Sequence, residues 1–166
     1  MVKLSRGGLR VLKAVHFLAI AGWFGGGVAA NLLAYKAGTL NPESSLSTVL
    51  EMISTLDSLL IPVCALLTVL TGIVYGAFTH WGFFRQGWLV VKWIITILVV
   101  ATGVVFTSKY LIIMGGLAVQ FGHAALQNPE FITVAKANRN LGLGQLVCLF
   151  IAMVLSIWKP GKQRLD

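Results

Sequence analysis

The stretch WLVVKWIITILVVATGVVFTSKYLIIM, residues 88–114, carries one charge, Lys92, before Lys109. An apolar run of this length with no sustained alternation predicts a helix that crosses a bilayer. A spanning helix needs roughly 20 apolar residues, whereas a spanning strand needs only about 10. Three further runs of the same kind accompany it, from Ala14 to Tyr35 with interruptions at His16 and Asn31, from Leu59 to Thr79, and from Leu141 to Trp158. The expectation is an all-α polytopic membrane protein, a four-transmembrane-helix bundle forming one membrane domain over residues 1–166.

Composition agrees, since 57% of the 166 residues are hydrophobic and only 11% charged, against about a quarter charged in soluble domains. Four spans use about half of such a chain. No room remains for a separate soluble catalytic domain, so any chemistry has to sit inside the bundle or at its ends.

The net charge of +8 would point to nucleic acid in a soluble protein, but here it follows from topology. Lys3, Arg6, Arg10 and Lys13 precede the first run; Arg85 lies between the second and third; Lys159, Lys162 and Arg164 follow the last. Basic residues mark the cytoplasmic side, which puts both termini in the cytoplasm of a multi-pass protein of the bacterial inner membrane. The expected partner is the lipid bilayer, with no nucleic acid. The first run has the parts of a signal peptide, including Val28, Ala29 and Ala30 before Asn31, but it is as long as a full span and is read as one.

Both outer connections contain the same tripeptide, Asn41-Pro42-Glu43 and Asn128-Pro129-Glu130. Each reads as a helix start, with Asn at the cap and Pro in the first turn. Of the 18 glycines, Gly22 with Gly26 and Gly72 with Gly76 have the spacing that lets helices approach closely. That predicts close packing of helices one and two, within the molecule or, as a homo-oligomer, between copies. Cys64 and Cys148 each lie in an apolar run and are expected as inert buried thiols.

Ionisable groups inside a bilayer are costly and usually face a partner or a cavity. His16 lies less than one turn beyond Lys13, and Lys92 one turn beyond Trp88, so both are shallow on the cytoplasmic side. Packing could bring them to one inner cavity, with Tyr75 and His80 near the same level. Two plainer alternatives stand beside this, a Lys92 that snorkels to the headgroups and a His16 bonded within the helices. Asp57 and Lys109 lie at comparable depth at the opposite end and are expected as an ion pair. His123 reads as a solvated loop residue, and Trp81, Trp88 and Trp158 as an interfacial belt.

Leu12-Lys13-Ala14-Val15-His16, followed by Trp23-Phe24-Gly25-Gly26, resembles the first-helix signature of the HemJ-type membrane protoporphyrinogen oxidases, and Gly87-Trp88-Leu89-Val90-Val91-Lys92 resembles their third-helix signature. The resemblance implies haem b as cofactor, with His16 as axial ligand and Lys92 as a second functional residue, a ligand or a propionate partner. The His and Trp-Gly pattern is also similar to CopD-like copper-resistance membrane proteins, and the length to an uncharacterised family of small bacterial integral membrane proteins.

Neutral imidazole is a common axial ligand, and Gly22, Gly25, Gly26 and Gly27 could clear room for a flat macrocycle. Copper ranks below haem, because Met52 and Met114 near the outer face have no Met-x-Met or His-x-His cluster with them. No GxSxG, phosphate-binding loop, HExxH or paired carboxylates occur. The resulting expectation is a haem b protein of porphyrin or electron-transfer chemistry, a haem-dependent membrane oxidoreductase. Its cofactor-binding residues would be His16, Lys92, Tyr75 and His80, with His16 as metal ligand and Lys92 as catalytic residue. The alternative is a noncatalytic membrane protein that handles copper or serves as an assembly subunit.

Overall fold

The computed structural model describes residues 5–39, 45–78 and 86–159. They form four long helices, α1 (Arg6–Ala37), α2 (Leu46–Phe78), α3 (Gly87–Gln127) and α4 (Pro129–Trp158), each long and apolar enough to cross a membrane. No strand occurs among the described residues. The chain therefore crosses four times, with both termini at one end, here called the tail end, and the outer connections at the loop end.

Every helix runs past its apolar core. The 30 residues of α4 reach about 45 Å, half as long again as the roughly 30 Å of hydrocarbon. Hydropathy marks only the lipid-facing part, so the helix ends escape it. Caps fix those ends. Ser5 accepts from the Gly8 N–H, Ser45 from the Thr48 N–H, and Asn128 Oδ1 from the N–H groups of Glu130 at 2.8 Å and Phe131 at 3.4 Å. The second tripeptide starts its helix as expected. The first, Asn41-Pro42-Glu43, lies outside the described residues, as do Lys3, His80, Trp81, Arg85, Lys162 and Arg164, and the cap of α2 is Ser45.

Two helices carry a wide π turn, Leu56–Leu60 in α2 and Gly103–Thr107 in α3. The Ile61 N–H donates to the Leu56 carbonyl, and the Ser108 N–H to that of Gly103. In α2 a cause lies just beyond, because Pro62 has no N–H to give Ser58 and its ring would crowd that carbonyl in a regular α-helix. The turns also set the facing of the helices. At about 100° per residue, Leu46 and Gly76, both buried, would point about 120° apart on a regular α-helix, and about 20° apart once a π turn absorbs one residue. Val99 and Leu111 of α3, also both buried, give the same two figures.

Around the bundle α1 packs between α2 and α4, and α3 packs on α4. The ring closes at the loop end, where Leu46–Thr55 of α2 meets Ser108–Phe121 of α3. There a core of Ala37, Leu46, Leu50, Ile53, Met114 and Phe131 is shut off from the surroundings. Beyond the π turns α2 and α3 part, and the mid-bundle core shrinks to Trp23, Ala65 and Val99. Phe17, Leu18, Ile97, Leu98 and Ile112 face outward, as a lipid-contacting surface requires. Gly122, with φ +57°, ends the α-helical part of α3 in a conformation that a side chain would strain.

The glycines of α1 are used inside the chain. A Cβ on Gly22 would lie 2.6 Å from Cys64 Sγ, one on Gly26 3.1 Å from Ile61, and one on Gly27 3.1 Å from Leu146. At Gly22 and Gly26 the close packing of helices one and two is thus intramolecular, while Gly72 faces Trp93 of α3. Cys64 and Cys148 are both free thiols.

Candidate functional site

Near the tail end the inward faces of all four helices bring His16, Lys92 and Ser156 to one small cavity of about 80 Å³, walled by Trp23, Phe24 and Trp93. His16 Nδ1 lies 2.6 Å from Thr71 Oγ1, and the Tyr75 ring stands edge-on to the imidazole at 5.9 Å between centroids. The Thr71 hydroxyl lies 2.6 Å from the Leu67 carbonyl and 3.1 Å from that of Thr68 as well as beside Nδ1. With its one proton on a carbonyl it accepts from Nδ1, which leaves the lone pair of a neutral imidazole on Nε2. An outer hydrogen bond that fixes the tautomer in this way is what a metal-ligating or proton-accepting histidine needs.

Lys92 does not snorkel outward. Its ammonium donates to Ser156 Oγ at 2.6 Å, and that hydroxyl donates to the Ala152 carbonyl at 2.8 Å. His16, Lys92 and Tyr75 thus converge as the sequence suggests, while His80 lies outside the described residues. Thr71 and Ser156, which orient the two, were not singled out from sequence.

Three other sequence expectations change. Asp57 accepts from Ser108 Oγ at 3.0 Å and forms no ion pair with Lys109, which is exposed. Ser108 faces the bundle, and the next residue along a helix points about 100° away. His123 is half-buried in the 3₁₀ segment Gly122–Gln127, with Nδ1 shielded and unpartnered, so it is not a solvated loop residue. The glycines leave no slot for a macrocycle, because Gly22, Gly26 and Gly27 are filled by neighbouring side chains and Gly25 faces open space.

A larger cavity of about 360 Å³ lies between the four helices on the loop side of Trp23. Its wall is mostly aliphatic, with Asn31, Asp57, Thr107, Ser108, Asn138 and Gln145 among the lining residues. Sequence reading by charge alone missed the uncharged members. A signal was present in α4, where Asn138, Gly142, Gln145, Leu149, Ala152 and Ser156 repeat at helical spacing as one small and polar stripe.

The family model described as "Predicted integral membrane protein (DUF2269)" matches residues 10–160. The chain belongs to this family. The DUF2269 match spans all four helices and both cavities, and it bears out the expectation of an uncharacterised family of integral membrane proteins. No curated protein and no solved structure matches the chain, so the likeness to HemJ-type and CopD-like proteins rests on the quoted motifs alone. Among the described residues no three His, Cys, Asp or Glu side chains are grouped to hold a metal ion. Met52 is exposed while Met114 is buried in the loop-end core, which gives copper no thioether pair.

Proposed function

We propose that this DUF2269 protein of the bacterial inner membrane holds an amphiphilic anion inside its bundle, with the acid group at Lys92. One observation carries the proposal. Lys92 turns inward onto the uncharged Ser156, beside His16, in a cavity with no Asp or Glu among the described residues that line it. An ammonium drawn inside a bundle calls for a counter-charge, and those residues supply none. The cavity accommodates a carboxylate or phosphate group, and the apolar body would pass the Trp93 ring, which reaches from α3 to Gly72 of α2.

Haem b is a second reading, favoured by the Thr71 hydroxyl at His16 Nδ1, which is compatible with a lone pair on Nε2. Nε2 would face the iron and Lys92 a propionate. Bound haem would supply one-electron transfer, and these residues would hold it and neutralise its acid groups. The donor set fits. The volume does not, since about 80 Å³ is well below the roughly 300 Å³ at which ligand pockets begin.

Titration of the purified protein with palmitate, protoporphyrin IX and hemin tests both readings. Palmitate should bind, and Lys92→Met should weaken that binding at least about tenfold. Equal affinity in the variant, or no binding of palmitate, removes the proposal. The haem reading additionally expects hemin to give a Soret band that His16→Ala shifts or abolishes, with protoporphyrin binding retained. A band indifferent to His16 removes that reading alone.

A further inference from the structure

The larger cavity has a different chemistry from the site at Lys92. Its volume of about 360 Å³ falls in the range of small-molecule sites, and a mostly apolar wall with a few convergent polar groups is the usual form of such sites. Among the described residues no Lys, Arg or His lines it, and Asp57 is the sole ionisable group of its wall. Asn138 Oδ1 and Thr107 Oγ1 are both shielded from the surroundings and have no hydrogen-bond partner in the described structure. Asn138 Oδ1 can only accept, and Thr107 Oγ1 can accept.

Each of these groups would find a partner in a molecule that donates. Unpartnered polar atoms at this depth cost about 1–3 kcal/mol each, and a carboxylate facing hydrocarbon costs more. Ser108 gives Asp57 one neutral hydrogen bond, which would leave a charge on that carboxylate uncompensated. The cavity is also within reach of the bilayer, because Leu66 and Val104 belong to its wall and also face outward.

We infer that this cavity is a binding site for a small lipophilic amine in its protonated form, with the ammonium at Asp57 and Asn138 and the hydrocarbon body against Trp23, Val69 and Leu149. The amine enters sideways from the lipid. This site shares Trp23, Val69 and Leu149 with the wall of the smaller cavity but is lined by neither His16 nor Lys92.

The test compares 1-adamantylamine with its neutral isostere 1-adamantanol, by calorimetric titration of the full chain in mild detergent at pH 7. Adamantylamine should bind at least about tenfold more tightly than adamantanol. Asp57→Asn should abolish that preference while leaving adamantanol binding as it was, and His16→Ala should change neither. Asn138→Leu should weaken the amine without disturbing helix content. Equal binding of the two probes, no binding of either, or a preference that survives in the Asp57 variant overturns the inference. A hydrodynamic profile like that of the parent confirms that each variant is folded, and retained adamantanol binding shows that the cavity is intact.

Discussion

Thr71 Oγ1 stands 2.6 Å from His16 Nδ1 and ties α2 to α1 inside the bundle. Thr71→Val keeps the shape and removes the hydroxyl that meets a half-buried ring nitrogen. The expected cost is about 1–3 kcal/mol of stability, read as a lower thermal midpoint in detergent, whereas Thr71→Ser should keep most of the stability. A Val variant as stable as the parent would mean that the contact contributes nothing.

Lys92 should behave oppositely. Replacing a partly buried cation by a residue of similar volume is often neutral or stabilising, so Lys92→Met is expected to unfold at the same temperature or higher while losing the anionic probes. A large drop in its thermal midpoint would make Lys92 a structural residue.

Glycine packing gives a reciprocal test. With its Cβ 2.6 Å from Cys64 Sγ, Gly22→Ala should cost about 1–3 kcal/mol through overpacking. Cys64→Gly should give much of that back in the double variant, which a mutant cycle measures as coupling between neighbours. Gly25→Ala, with nothing within 4 Å of its Cβ, should be silent or slightly stabilising. Absence of coupling between positions 22 and 64 would contradict the helix contact.

Sidedness can be checked in intact cells carrying Cys64→Ser and Cys148→Ser. A single cysteine replacing Glu43 or Gln127 should react with a membrane-impermeant maleimide, and one replacing Lys3 or Lys162 should not. Labelling of the tail positions would invert the orientation.

The four crossings were legible because lipid imposes a strict rule on composition, and His16 and Lys92 were legible because charges in the spans are so few. Asn128 was legible from its cap chemistry. With it came the outer start of α4 at Pro129, while the cap of α2 at Ser45 was not read, since residues beyond the hydrocarbon have ordinary polarity. Nor was the Asp57 partner, because depth can be estimated from position in a span while facing depends on the local turn. Ser108 and Lys109 share a depth and differ in direction. The larger cavity escaped because Asn, Thr and Gln carry no charge to draw notice.

The extra residue in each π turn makes the two ends of α2 and α3 agree in angle, so helix length works here as a setting rather than a dimension. Inserting one alanine after Leu66 would lengthen α2 by only about 1.5 Å yet turn everything beyond it by about 100°. Thr71 would rotate away from His16 while Leu46 and Leu50 kept their places. A gained residue in that stretch would leave hydropathy, charge and crossing number untouched and still disassemble the interior. In this bundle the reading frame of the helix, more than the identity of its apolar residues, decides whether the two cavities exist.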